Sequence, residues 1–490
     1  MNTQAAARVS RPPTNEHSRP HGLRDLSLTE MGERFSFYGM QSILAYYLIY
    51  SVKDGGLEVA DTTAVGIVGA FGAFVFLTQI VGAWLADRLM APRNLIAVGG
   101  VVIAVGYLTL ALTHGMVPLI IGLVVIAFGT GALKTSVTSA IGHLYRDRPA
   151  EDRDAGFAYF YTAVVSGLVA GMLIVGFTQS RWGFQVGFLL AGAGMIASLV
   201  NYLRVMRSLP AETAVVNNPL TAREVRRSAI VALGFCAILA AVIASGLISV
   251  DNINLVAGIA IVVVFTAYIV RIVGADTTTP VERRRVLGYV PMWIAAAVTF
   301  GLTGQIFTSI PLFINDRVNT VIGGWTIPEV WISAIGPISL VLISAMMART
   351  LRTSQFGKSP ATTKYAIGIG IAAVAFLLLV LTDLWPEGRV VSPFFMAFCM
   401  IVSGLPEAFV GPIGLSLATR VAPARFYSQM VALQILSLGA GSVLAGQFGV
   451  LYTMFEPAQF FGLTAGFGFV AVAVLRMFSR RIEANLTASA

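Results

Sequence analysis

Charge is what this chain has least of. Only 12% of its 490 residues are Asp, Glu, Lys or Arg, about half the share of a soluble domain. Together with a mean hydropathy of +0.79, that scarcity excludes an ordinary water-soluble globular protein. Cysteine is nearly missing as well. Cys236 and Cys399 each lie inside an apolar run, so neither a disulfide nor a metal role is expected. Of the four histidines, His21, His114 and His143 fall at or beyond the ends of apolar runs and His17 in the N-terminal region, so no histidine set is spaced to hold a metal. Neither His-Glu-x-x-His nor Gly-x-Ser-x-Gly occurs, and with them go the hydrolase motifs of a membrane-embedded enzyme. No enzymatic activity and no cofactor are expected. The first 27 residues hold four Arg, three Pro and no apolar core, which reads as a polar cytoplasmic tail and not as a signal peptide.

What is present is one apolar run after another, each about 20 residues long, the length that crosses a bilayer as a helix. Fourteen spans are predicted: 34–50, 62–87, 95–113, 116–142, 156–178, 183–203, 228–247, 253–270, 288–314, 328–348, 365–384, 392–419, 427–451 and 458–475. The net charge of +9 is distributed by side. Of 33 Lys and Arg, 27 fall in segments on the side of the N-terminus, four (Lys53, Arg181, Arg317, Arg389) on the other, and Arg34 and Lys134 at membrane depth. Positive segments stay inside, so both termini are expected in the cytoplasm of a bacterial cell, with the chain in its cytoplasmic membrane. The basic charge reports topology; the bilayer is the expected partner and nucleic acid is not.

The spans group as six, two and six. The expected division is a cytoplasmic tail over 1–27, a six-helix bundle over 28–206, a linker with two additional transmembrane helices over 207–287, a second six-helix bundle over 288–478 and a tail over 479–490. The fold class is therefore an all-α polytopic membrane protein with two six-helix halves and a midplane cavity, the major facilitator architecture. The central pair reads as a lipid-facing insertion. Gly404, Pro406, Gly411, Pro412 and Gly414 interrupt one span, either as a hinge or as a fixed kink.

Ionisable residues at membrane depth are functional candidates by default. Glu30, Glu33 and Arg34 open the first span. Glu30 and Arg34 are four apart and share a helical face, and Glu33 lies one turn from Glu30. Two carboxylates beside one guanidinium suit proton handling; the same three residues also suit a juxtamembrane salt bridge. Lys134 lies deep in the fourth span with no acid within ten residues, and Glu407 lies deep in the second half beside Pro406. A cation in one half and an anion in the other suit a zwitterion held across the cavity, or a purely structural bridge of Lys134 to Glu407 or Glu33. Asp87, Arg88 and Arg93 form an acid-and-base cluster at the end of the second span. It resembles the major facilitator signature between the second and third helices and implies a conformational latch.

The motifs are more specific than the architecture. Glu30-Met31-Gly32-Glu33-Arg34-Phe35-Ser36-Phe37-Tyr38-Gly39 resembles the first-helix signature of the proton-dependent oligopeptide transporter family, with Phe37 in place of a Tyr. Gly129 to Lys134 is similar to the family's fourth-helix motif, Phe157 to Tyr161 to its fifth-helix motif, and Pro406 to Ser416 to its tenth-helix motif. The resemblance implies proton coupling at Glu30, Glu33 and Arg34. It implies a substrate carboxylate at Lys134, a substrate amino group at Glu407, and a pocket lined by Tyr38, Gln41, Gln305 and Ser416. The implied activity is symport of di- and tripeptides or peptide-like amphoteric metabolites by a monomeric unit, driven by a proton gradient. Carriage or export of a non-peptide metabolite or drug is the alternative.

The chain departs from that pattern where the family closes its outer side. Gln41 stands where the family usually has Arg, and Thr303-Gly304-Gln305 where it has Phe-Glu-Gln. The two losses together leave no orphan charge. Phe76, Val165, Gly336 and Gln434 replace further family residues, mostly polar ones. The expectation is that the driving machinery is kept while the substrate grip has changed.

Overall fold

A computed structural model describes residues 20, 22–145, 150–216, 219–353, 359–384 and 391–488. Hydrocarbon offers the backbone no water, so an apolar run must satisfy its N–H and C=O groups internally, and long helices follow. The first half holds α1 (Leu23–Ile49), α2 (Asp61–Arg88), α3 (Pro92–Leu112), α4 (Met116–Leu144), α5 (Ala150–Trp182) and α6 (Phe184–Val205). The linker supplies α7 (Ala222–Ala244) and α8 (Ile253–Gly274). The second half holds α9 (Pro280–Thr303), α10 (Ser309–Arg317), α11 (Glu329–Thr353), α12 (Ala361–Val380), α13 (Pro393–Val421), α14 (Tyr427–Tyr452) and α15 (Pro457–Leu486). Helices α9 and α10 are one span interrupted by a 3-10 turn at Gly304–Phe307, so the fifteen helices make the fourteen predicted spans.

The pairing pattern of the first half recurs in the second. There α1 packs on α5 and α6, α3 on α4 and α6, and α2 on α4. Correspondingly, α9 packs on α14 and α15, α12 on α13 and α15, and α11 on α13. Two copies of one six-helix arrangement are what a rocking carrier requires. The halves meet where α2 lies on α14 and α5 on α11. Close approach depends on small residues. A Cβ on Gly167 or Gly171 of α5 would run into the carbonyl oxygens of Met31 and Phe35, so these two glycines let α1 lie directly against α5.

Several boundaries differ from the sequence reading. Helix α1 starts at Leu23, inside the expected tail, because Leu23 and Leu26 are buried against the first half. Residues 1–19 and 21 lie outside the described residues. Helix α15 runs eight residues past the expected end of the second bundle. Ile482 and Leu486 are buried, and Glu483 accepts a hydrogen bond from the Thr362 N–H at 3.0 Å, so this segment is docked and not a tail. Helix α13 continues through both Pro406 and Pro412.

The two linker helices behave differently. The described side chains of α7 are mostly exposed, as a lipid-facing helix requires. Helix α8 instead docks one face on α2 and α14. It buries Ile261, Phe265, Ile269 and Ile272, donates from Asn254 Nδ2 to the Val443 carbonyl at 3.1 Å, and stacks Phe265 on Trp293 at 3.8 Å. An all-α reading also missed one short hairpin, Val321–Ile322 paired with Trp325–Thr326. Its turn is Gly323-Gly324, both at positive φ (59° and 81°), the conformation a two-residue hairpin turn prefers. Cys399 is a buried free thiol, whereas the side chain at 236 lies outside those described.

Candidate functional site

Glu30, Glu33 and Arg34 lie one turn apart on α1, and the structure buries all three inside the first half, with exposures of 1 to 3%. Both acids reach the one guanidinium. Glu30 Oε1 is 3.3 Å from Arg34 Nε, and Glu33 Oε2 is 2.5 Å from Arg34 Nη2. The Thr130 hydroxyl of α4 donates to Glu33 Oε1 at 3.3 Å. The second oxygen of Glu30 has no hydrogen-bond partner among the described residues. Below the guanidinium lie the rings of Phe37 and Tyr38, at 5.3 and 5.8 Å. This cluster is inside the bundle, so a surface anchor of the first helix does not describe it.

Lys134 follows Thr130 by one turn on α4, which places it on the face that meets Glu33. Its ammonium lies over the Phe76 ring at 5.8 Å. Among the described residues it forms no ion pair, with Glu33, Glu407 or any other acid, although Glu30, Glu33 and Arg34 are near enough to act on it electrostatically. Glu407 on α13 is half-buried and likewise has no ion pair among the described residues. It acts electrostatically on Tyr38 and Tyr161, one from α1 and one from α5. A purely structural bridge of Lys134 to either acid is therefore not made. At this site, among the described residues, the first half presents Lys134 and the second Glu407 without an oppositely charged partner in an ion pair.

The remaining predicted residues divide. Tyr38 stands where the halves meet, stacked on Phe307 at 6.2 Å and edge-on to Phe37 at 5.1 Å. Gln41 is buried beside it on α1 with its amide oxygen unpartnered among the described residues. Gln305 is buried in the 3-10 turn, accepts from Ser309 Oγ at 2.6 Å, and lines a small cavity with Phe376, Cys399 and Met400 inside the second half. The turn offers Phe307 to the first half and keeps Gln305 within its own, so Gln305 does not form the expected pocket wall. Ser416 is also set apart. It follows Glu407 by nine residues on α13, two and a half turns along and on the opposite face, and it is exposed.

The predicted latch is wired differently as well. Asp87 is exposed and pairs with neither Arg88 nor Arg93. Arg88 Nη2 instead meets Glu224 Oε1 of α7 at 3.0 Å, and the Arg88 carbonyl accepts from the Leu220 N–H. The Thr221 backbone N–H, then its hydroxyl, and after them Arg88 hold the Glu224 carboxyl below its usual range. Arg93 is partly buried, and its carbonyl accepts from the Tyr202 hydroxyl at 2.7 Å. The sequence could not show this, because Glu224 lies 136 residues from Arg88.

Sequence reasoning missed Phe307 as a site residue, and it met Thr130 and Tyr161 only as members of the fourth- and fifth-helix motifs, with no role for either. An aromatic in an apolar span carries no signal of its own; the meeting of α1 with the broken ninth span singles out Phe307, and the meeting of α1 with α4 gives Thr130 its place.

The polar contacts that join the two halves gather toward one end among the described residues. At the end where α1 finishes and α11 begins, the Trp331 indole donates to the Leu173 carbonyl at 2.8 Å, Gly176 faces Val330, and Phe177 lies 6.0 Å from Trp331. Toward the end carrying both termini, no side-chain hydrogen bond or ion pair joins the halves among the described residues. The end where α1 finishes is thus closed by direct contacts between the halves.

Residues 93–462 match the family model described as "POT family". The chain is 31% identical over 474 residues to the uncharacterized transporter YclF of Bacillus subtilis (strain 168), covering 95% of this chain and 94% of that one. It is 30% identical over 479 residues to a di-/tripeptide transporter of Lactococcus lactis subsp. cremoris, covering 95% and 96%. A crystal structure of a mutant peptide transporter POT in complex with alafosfalin superposes with a TM-score of 0.89 at 29% identity, covering 96% of this chain and 97% of that one. With a family match over most of the chain and a shared fourteen-span fold, this polytopic membrane protein belongs to the POT family.

Proposed function

We propose that this chain carries short peptides or peptide-like amphoteric metabolites across the cytoplasmic membrane, together with protons, by alternating access. The observation that carries the reading is the pair of unpartnered charges, Lys134 in one half and Glu407 in the other, beside a buried acid–base cluster.

Charge balance explains why proton and substrate move together. With both acids ionised, Glu30, Glu33, Arg34 and Lys134 sum to zero. A substrate carboxylate arriving at Lys134 adds a negative charge to a buried site, which is costly. A proton on Glu30 or Glu33 removes that excess. Arg34 keeps its charge throughout and retains the remaining carboxylate as partner. At the other wall the substrate ammonium offsets Glu407. One zwitterion and one proton together leave both walls neutral; either alone does not. Tyr38 and Phe307, stacked between the halves, line the contact that separates as the site changes sides. The basic end, with both termini, faces the cytoplasm in this reading, as the distribution of Lys and Arg supports.

The relatives add chemical support: one is named a di-/tripeptide transporter, and another was crystallised with alafosfalin. The test is uptake into proteoliposomes under an inward proton gradient. Labelled dialanine should accumulate, and members of a dipeptide library should compete. No accumulation of any library member by folded protein would overturn the reading.

A further inference from the structure

The closed end holds an acid that the site above does not use. Glu329 begins α11, and its Oε2 accepts a hydrogen bond from the Tyr50 hydroxyl of α1 at 3.0 Å. Among the described residues this is the side-chain to side-chain hydrogen bond that joins the two halves. One turn further in, the buried hydroxyls of Tyr46 of α1 and Ser333 of α11 face each other across the seam. The positions are i and i+4 on both helices, so the two pairs form matched rungs across the seam.

Glu329 is half-buried and forms no ion pair among the described residues. It is nevertheless reachable, because it lines a cavity of about 580 Å³ at this end with Tyr46, Tyr50, Arg181 and Trp325. The titratable and charged groups around it are Tyr46 and Tyr50 from α1, Asp54 from the turn after it, Asp61 from α2, Arg181 from the end of α5 and Asp316 from α10. Arg181 is turned to the Phe177 ring, 5.8 Å away, so no cation is committed to Glu329.

We propose that Glu329 is the proton-responsive gate acid of the closed end, with Tyr50 as its partner. This rests on the symport reading above. An ionised Glu329 accepts a charge-assisted hydrogen bond from Tyr50 and ties α11 to α1. A proton taken from the medium on this side converts the carboxylate to a carboxylic acid. The bond to Tyr50 then becomes neutral and weaker, and the halves part. Loss of the proton restores the tie.

The test reads conformation, not transport. Nitroxides at Lys53 and Met454, both exposed and one on each half, report the width of the closed end in lipid nanodiscs. Cys236 and Cys399 are replaced by alanine in this chain. Acidification from about pH 8 to about pH 5.5 should raise the wide population at least about fivefold, within the limit of about tenfold per pH unit that one titrating group permits. Glu329→Gln should reduce that change to less than about twofold. Tyr50→Phe should widen the end at high pH, with intact thermal unfolding of both variants as the control. A wild-type pH response retained by Glu329→Gln, or no response in the parent, overturns the proposal. If the gate responds through Glu329 while uptake proves independent of the proton gradient, the symport reading falls and the gate stands.

Discussion

Replacing Glu33 with glutamine separates a structural acid from a working one. The side chains are isosteric, and the amide would keep an oxygen for the Thr130 hydroxyl, which now donates to Glu33 Oε1 at 3.3 Å. Arg34 would keep Glu30, 3.3 Å away and with a second oxygen still unpartnered. The lost interaction is the contact of Glu33 with Arg34, the shorter of the two. Because Arg34 is not left alone, the cost should stay at about 1–3 kcal/mol, that of a hydrogen bond to a charged group, below the about 3–5 kcal/mol of a broken buried ion pair. Coupling should suffer far more. One proton per substrate links a pH step of one unit to about 1.4 kcal/mol, or about tenfold accumulation. Without Glu33 the cluster can no longer stay neutral as a substrate carboxylate arrives with its proton, so accumulation should fall to about onefold. Exchange of labelled for unlabelled substrate, which needs no net proton movement, should persist. The assay is paired: gradient-driven uptake and counterflow in the same proteoliposomes, with thermal unfolding alongside. Retained accumulation, or loss of both activities in step, would refute the role assigned to Glu33.

Arg34→Ala leaves two buried carboxylates facing each other and should cost about 3–5 kcal/mol, read as a large drop in the unfolding midpoint at neutral pH. Lys134→Ala should weaken carboxylate-bearing ligands selectively in a thermal-shift screen, leaving amine-only ligands unchanged, because bound ligand stabilises the folded state. Gly171→Val should destabilise by about 1–3 kcal/mol or more, since its Cβ meets the Phe35 carbonyl; wild-type stability would show that α1 and α5 are free to separate.

Much of the fold could be read without coordinates. Each apolar run had only one way to satisfy its backbone in lipid, so the helices and their number followed. The first span also announced itself, because Glu30, Glu33 and Arg34 are close in sequence and a helix keeps them close in space. Lys134 and Glu407 stood out because charge is rare at that depth. Elsewhere the linear reading failed for identifiable reasons. Gln305 was expected to wall the pocket, but the 3-10 turn at Gly304–Phe307 aims Phe307 across the seam and Gln305 inward. Ser416 belonged to a recognisable motif, yet nine residues of helix carry it to the face opposite Glu407. Asp87 and Arg88 are neighbours in sequence but do not pair, and Arg88 finds Glu224 in the linker.

By itself, then, the sequence determined an all-helical membrane chain, its six-two-six grouping and the identity of its buried charges, because burial in lipid and helical periodicity act locally. Tertiary structure alone decided which charges stay unpartnered, which end is closed and that Tyr50 meets Glu329. Those outcomes depend on how helices from opposite halves approach, and residues 279 apart carry no local record of their meeting.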